Sequence, residues 1–298
     1  MDANILLQGE SGTGKELFAQ AIHNYSRADG PLVAVNCAAI PANLIESELF
    51  GYEGGSFTGA ERQGRAGKLE LAGGGTLFLD EIADMPLPLQ PVLLRALEDK
   101  KIMRVGGSRH IPVNFRLIAA TNQDLHDLME KGQFRPDLYY RLKVLEVHIP
   151  ALRDRVSDIV ELAQYFINDI AGEQRSPRPV LSDRAALCLL SYHWPGNIRE
   201  LKNAFLYAIN VCEGGVIHPR DLPVEIVSAV DSALLERDEA KPAPAQLTSN
   251  LSMKEVERIM ISQTLEQKNY NISETAALLG MSRSTLYRKI KEYRLLQN

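Results

Sequence analysis

Two clusters of residues have the types and spacing for phosphate chemistry. Gly9-Glu10-Ser11-Gly12-Thr13-Gly14-Lys15 fits the G-x-x-x-x-G-K phosphate loop. Its glycines let backbone N–H groups turn inward on phosphate oxygens, and Lys15 reaches the terminal phosphates. The loop follows the apolar run Ile5-Leu6-Leu7 and precedes a helical segment, so a helix N-terminus adds its dipole to the cradle. An ordinary glycine-rich strand-to-helix turn is the competing account; the lysine in its strand–loop–helix context favours nucleotide binding. Glu16 stands where a Ser or Thr usually helps hold Mg²⁺, which shifts the metal onto other groups, through water. The second cluster is Asp80-Glu81, closing the apolar run Thr76-Leu77-Phe78-Leu79. Such a pair sits at the C-terminal edge of a sheet, where ligands of these folds bind. Alone it is as often a helix cap. Beside a lysine loop, Asp80 would organise Mg²⁺ and Glu81 would polarise the attacking water.

Three further groups belong to the same reading. Thr121-Asn122 ends the run Leu117–Ala120 and can sense the terminal phosphate or the water, though in isolation it also reads as a helix cap. Arg135 and Arg141, six apart, do not share a helical face squarely. A surface pairing explains them no better than reach to a phosphate in a neighbouring subunit; solvated arginine is the default for either one alone. Gly55-Ser56-Phe57-Thr58-Gly59-Ala60 flanks a single aromatic with glycines, which suits partner contact, although by these residues alone a loop folded on its own domain is the favoured account.

The elements that must position these groups are short. Ile5–Leu7, Leu32–Val35, Thr76–Leu79, Leu117–Ala120 and Val144–Val147 are brief apolar runs, expected as strands of a parallel sheet buried on both faces, with helices between them. From about Ala151 to Ile226 the pattern is helical only, including Asp158–Ala171, Ser182–Tyr192 and a helix opening at Asn197 after Trp194-Pro195-Gly196. The stretch 228–250, with Lys241-Pro242-Ala243-Pro244-Ala245, reads as a linker. Ser252-Met253-Lys254-Glu255 then has the capping-box signature of a new helix. The expected domains are 1–150, 151–227 and 251–298, joined by that linker.

The last of these reads as a helix-turn-helix. Asn271–Leu279, the turn at Gly280 and the cap at Ser282 lead into a helix from Arg283 to Arg294. That helix carries Arg283, Arg288, Lys289, Lys291 and Arg294 against one acid, Glu292. The local basic excess fits phosphate contact. Arg283, Ser284, Thr285, Arg288 and Lys289 are the candidate DNA-binding residues, with Leu286 and Ile290 packing inward; a small solvated bundle is the alternative.

Composition bounds the rest. The chain has 298 residues, 45% hydrophobic and net charge −5, which excludes a largely disordered chain and argues against general coating of nucleic acid. No apolar run is long enough for a membrane helix. Cys37, Cys188 and Cys212 are far apart and the six histidines scattered, so neither a disulfide scaffold nor a metal cluster is expected, and a reducing cytoplasm is.

The phosphate loop, Gly55–Ala60, Thr76–Glu81, Phe134–Leu142 and Trp194-Pro195-Gly196-Asn197-Ile198-Arg199-Glu200-Leu201 together resemble the bacterial enhancer-binding proteins, the sigma-54-dependent transcription activators of the AAA+ superfamily (the NtrC group). The C-terminal segment is similar to their Fis-type DNA-binding domain, with Ser252–Gln267 as its dimerising helix. The resemblance implies an α/β fold: a P-loop AAA+ parallel sheet with a helical lid subdomain, plus a small all-α helix-turn-helix domain. It implies ATP and Mg²⁺ as cofactors and a Glu at position 16. Asp80 and Glu81 are similar to the metal-organising and water-activating acids. Asn36 is similar to the asparagine that restrains the catalytic glutamate, Thr121 and Asn122 to the first sensor, and Arg199 to the second-sensor arginine of the lid. Arg135 and Arg141 are similar to arginine fingers supplied in trans, which implies a homo-oligomer, from dimer to hexameric ring. Phe57, Thr58 and Gly59 resemble the loop that grips sigma-54, where the family usually has Ala at position 56; a second loop around Met85–Gln90 is expected beside it.

The implied function is an ATP-driven remodeller of sigma-54 RNA polymerase holoenzyme that binds enhancer DNA in the bacterial cytoplasm, with no membrane partner. The alternative is a DNA-binding regulator that uses nucleotide only as a switch. The first strand opens four residues into the chain, where family members carry a further segment. A truncated chain with weakened nucleotide affinity and no built-in signal input is therefore expected.

Overall fold

The computed structural model describes residues 3–27, 29–56, 61–174, 178–228, 257–258, 260–262, 264–265 and 272–293. Two compact units, Met1–Arg237 and Asp238–Asn298, are treated separately.

The first unit begins with β1 (Ile5–Gln8), α1 (Lys15–Arg27), β2 (Leu32–Asn36), α2 (Ile45–Phe50) and the short pair β3 (Gly51–Tyr52) and β4 (Arg65–Ala66). There follow α3 (Lys68–Leu71), β5 (Thr76–Asp80), α4 (Gln90–Asp99), β6 (Lys101–Ile102), β7 (Ile111–Pro112) and β8 (Arg116–Thr121). Then come α5 (Leu125–Glu130), α6 (Pro136–Leu142) and β9 (Leu145–His148). The main sheet is parallel, in the order β2-β5-β8-β1-β9. Alternation along the strands feeds two cores. Leu77 and Leu79 of β5 enter one with Leu6, Leu117 and Ala119; Phe78 enters the other with Ile5, Leu7, Ile118 and Ala120. One expected strand differs: Leu145–His148 is exposed at every position, because β9 is an edge strand bonded only to β1.

A helical subdomain follows: α7 (Val156–Gln174), β10 (Val180–Leu181), α8 (Asp183–Ser191), α9 (Asn197–Val211), β11 (Val216–Ile217) and α10 (Val224–Val227). Its own core gathers Ile159, Ile167, Leu189, Leu201 and Phe205 around the fully buried Trp194, whose indole N–H donates to the Leu189 carbonyl at 2.8 Å. Ser182 caps α8 by accepting the Ala185 N–H.

In the second unit, residues described between 257 and 265 are helical, and α11 (Ile272–Leu278) and α12 (Arg283–Tyr293) follow. The turn between them uses Gly280 at φ +63°. Leu286 and Ile290 are buried with Ile261, Leu265 and Ala276, as the helical period requires. The linker 228–250 lies outside the described residues from 229 onward.

Candidate nucleotide site

Strand register builds the site. Asn36 pairs with Asp80 across β2 and β5, and Gln8 pairs with Thr121 across β1 and β8. The paired acids, the first-sensor candidates and the mouth of the phosphate loop therefore share one edge of the sheet. Gly12 and Gly14 take φ of +80° and +98°, where a side chain is strained. A Cβ on Gly12 would also sit 2.3 Å from the Gly196 carbonyl oxygen of the lid. Lys15 is buried; its ammonium donates to the Gly9 carbonyl at 2.9 Å and the Glu10 carbonyl at 3.2 Å, 3.8 Å from the Glu81 carboxylate.

The two acids differ. Asp80 Oδ1 is buried with no hydrogen-bond partner, while Oδ2 accepts from the Asn36 amide at 3.4 Å. A buried carboxylate oxygen left without a donor is costly, and an oxygen donor beside a phosphate loop fits Mg²⁺ held through water. Glu81 takes φ 49° and ψ 53°, rare for a residue with a side chain. Its Oε2 accepts the Asn122 backbone N–H at 3.2 Å. Burial pushes its carboxyl above the usual glutamate range; Lys15 opposes the shift and Asp80 reinforces it. A raised carboxyl suits a group that must take a proton from water.

Asn36 is placed differently from the expectation. Its amide meets Asp80 rather than Glu81, and its oxygen accepts the N–H groups of Ala38 and Ala39 at 3.0 and 3.1 Å. The Asx turn and the register fix it over β5. Thr121 is buried and its hydroxyl accepts the Gln123 N–H at 3.0 Å, so it shapes the strand end. Next door, burial pushes the Cys37 thiol up to about 12, aided by Asp80, Asp84 and Glu81, which leaves it unreactive.

The lid closes the site through residues the motif reading passed over. Asn197, buried and at φ 52°, accepts the Leu152 N–H at 2.8 Å and donates to Glu10 at 3.1 Å and to the Ser11 carbonyl at 3.0 Å. The Ile198 N–H donates to the Gly12 carbonyl at 2.9 Å. Arg153 forks onto the Glu10 carboxylate at 2.9 and 2.5 Å. Hydrogen bonds from Arg153 and then Asn197 hold the Glu10 carboxyl down to about 2. Arg199 donates to the Ser11 hydroxyl at 3.1 Å. The only textual signal for Asn197 is its place after Trp-Pro-Gly; none marks Arg153. A cleft of about 450 Å³ results, lined by Lys15, Asp80, Glu81, Phe166, Ile198 and Arg199 among others. A larger cavity of about 860 Å³ lies between α4 and the β6–β7 segment, away from these groups.

The remaining candidates lie elsewhere. Arg135 pairs with Asp137 at 2.6 Å, and Arg141 donates to the Leu97 carbonyl at 3.0 Å, rather than to the chain's own phosphate loop. Phe57, Thr58 and Gly59 lie outside the described residues. Ser56, at the root of that loop, donates to the Val105 carbonyl at 2.9 Å. The root of this loop lies against Val105; in the segment expected beside the loop, Met85, Leu89 and Gln90 are buried and Leu87 is exposed. In the second unit Arg283 and Arg288 are exposed. The Thr285 N–H donates to the Ser282 hydroxyl at 3.1 Å, and the Ser284 side chain lies outside the described residues. Lys289 differs from the expectation. Its ammonium sits on Glu257 at 2.5 Å, where Tyr293 also donates at 2.6 Å. Among the described residues no group of three or more His, Cys, Asp or Glu could hold a metal ion, and no helix is long and apolar enough to cross a membrane.

Comparison with known proteins agrees with this layout. The Sigma-54 interaction domain family matches residues 1–148, the AAA+ ATPase lid domain 153–238, and the Bacterial regulatory protein, Fis family, 252–293. A Geobacillus stearothermophilus protein named limonene hydroxylase is 49% identical, over 99% of this chain and 52% of its own. The Sigma54-dependent transcriptional activator SfnR of Pseudomonas putida is 42% identical, over 95% of this chain and 80% of its own. NtrX from Brucella abortus, crystallised with ADP, superposes with a TM-score of 0.73 at 35% identity, covering 98% of this chain and 65% of that one; it was also solved with ATP. The chain spans about half the length of several curated relatives it matches.

Proposed function

The chain belongs to the sigma-54-dependent transcriptional activators, with an AAA+ ATPase-type module and a Fis-type helix-turn-helix, and from that premise we propose that it hydrolyses ATP to remodel sigma-54 RNA polymerase while bound to enhancer DNA. The observation that carries the reading is the convergence of Lys15, Asp80, Glu81 and Arg199 on one cleft. These are groups of phosphate chemistry, so the reading follows them rather than the name of the Geobacillus relative.

In this reading the loop amides of Gly9–Lys15 and the Lys15 ammonium bind the phosphates, Lys15 exchanging its carbonyl contacts for stronger charge-assisted ones. Asp80 would hold Mg²⁺ through water, with Glu16 nearby; when bound, the ion neutralises charge on the transferring phosphoryl. Glu81 orients the attacking water and takes its proton, with its carboxylate steadied by the Asn122 N–H. Arg199 follows the phosphates as the lid moves. Arg135 and Arg141 serve a neighbouring subunit's site in a ring, where such arginines contribute about 10³–10⁵ in rate. Asn36 acts on this centre through Asp80. Phe57, Thr58 and Gly59 contact sigma-54, and Arg283, Ser284, Thr285 and Arg288 contact DNA. The working division is 1–150, 151–227, a linker at 228–250 and 251–298, in a bacterial cytoplasm.

The test is ATP turnover and promoter opening with sigma-54 holoenzyme, with and without enhancer DNA. Glu81→Gln and Arg141→Ala are each expected to lower turnover by about 10²-fold or more, the scale of a lost base or finger, with nucleotide binding retained. Loss of binding in Arg141→Ala would assign it to its own site. Turnover without promoter opening would leave a nucleotide switch as the function.

A further inference from the structure

Gln90 opens α4, is fully buried, and uses its carboxamide to tie α4 to two segments, one at Met85 and one at Gln133–Arg135. Its Nε2 donates to the Met85 carbonyl at 3.0 Å and the Gln133 carbonyl at 3.2 Å. Its Oε1 accepts the Arg135 backbone N–H at 2.8 Å. Met85 follows the single turn Ile82–Asp84 that leaves the paired acids, and Arg135 is the N-cap of α6. One side chain therefore ties the backbone behind Asp80-Glu81 to the backbone that presents Arg135. The far end of α4 holds the second arginine, whose guanidinium donates to the Leu97 carbonyl at 3.0 Å. Between these contacts Leu93, Ala96 and Leu97 are buried in the sheet's core, so α4 connects the two arginines as a packed element. For packing alone a leucine would fill the volume without requiring partners, whereas a buried amide requires all of its bonds.

We propose that Gln90 is a positioning residue for the arginines supplied in trans. It sets the Arg135 backbone against the segment leaving the paired acids, so the state of one subunit's site is felt at the arginine it lends its neighbour. The inference rests on the reading of Arg135 as such an arginine. Gln90 is not among the residues lining the nucleotide cleft. Its loss is expected to leave the chain's own nucleotide affinity intact and to lower turnover by about 10–100-fold, the scale of a small misplacement of a reacting group.

The experiment uses the full chain with Gln90→Leu, which keeps the volume and removes the bonds, and Gln90→Glu, which sets a carboxylate against two carbonyls. Binding of a fluorescent ATP analogue and ATP turnover are measured for each variant alone and mixed with Lys15→Ala, which lacks the phosphate lysine but keeps its arginines. The expected result is near-wild-type analogue binding, reduced turnover, and recovery of turnover in the mixture above either chain alone. Arg135→Ala mixed with Lys15→Ala is the control. If that control recovers and the Gln90 mixtures do not, the inference is overturned. It is equally overturned if both Gln90 variants lose analogue binding, or if both turn over like wild type. If the Arg135 control itself fails to recover, the trans reading falls and takes this inference with it, an outcome distinct from the others.

Discussion

The charge on Glu10 illustrates how single residues hold this site together. It lies within a phosphate loop, where an acid would repel the ligand, yet its carboxylate is turned onto Arg153 and the Asn197 amide. The pairing removes the repulsion and secures the lid in one step. Because its folded pKa of about 2 lies below the ordinary value of 4.5, the pair's contribution is complete above about pH 4.5 and is lost as pH falls through 2. A ¹³C-NMR titration of the Glu10 carboxyl is expected to show a midpoint near 2, rising toward the ordinary range in Arg153→Ala. A midpoint unmoved by that substitution would remove Arg153 as the cause. The loop motif names position 10 without constraining its type, so this role was not legible from spacing.

The points where elements meet decide the cleft. The start of α9 approaches the phosphate loop closely enough that Gly12 tolerates no Cβ, and Asn197 bonds to both sides of the contact. Asn197→Ala strands the buried Leu152 N–H and removes the lid's bond to the Ser11 carbonyl. It is expected to cost about 1–3 kcal/mol in unfolding free energy and to weaken ADP binding, read by denaturant titration and calorimetry. Unchanged ADP affinity would mean that lid seating does not control the site. The five strands were legible because short runs of β-branched and aliphatic residues have few other solutions. The edge position of β9 was not, since periodicity says nothing of which strand has a neighbour on each side.

At the scale of the whole molecule, charge is distributed unevenly. The chain is acidic overall, at −5, while α12 presents exposed Arg283 and Arg288. DNA affinity must then come from a few local contacts working against a repulsive remainder. Arg288→Ala is expected to reduce the slope of log affinity against log salt by about 1, the signature of one lost phosphate contact. Lys289→Ala is expected to leave that slope unchanged and to destabilise the helix-turn-helix instead, because its ammonium is held by Glu257. A slope change in Lys289→Ala would show that the ion pair opens on DNA.

The amino-acid order alone determined the chemistry available: a lysine loop, two acids closing a strand, arginines distant from both, and a basic recognition helix. Such motifs are local, because a turn, a strand end or a helical face is specified by neighbours along the chain. What each polar group bonds to was decided only by tertiary structure. Asn36 over Asp80, Gln90 behind Arg135 and Lys289 on Glu257 join residues 32 to 45 positions apart, and several candidate partners lie within reach of any periodic pattern. Register, packing and burial select one of them, since a buried donor or acceptor must find its partner wherever the fold brings one.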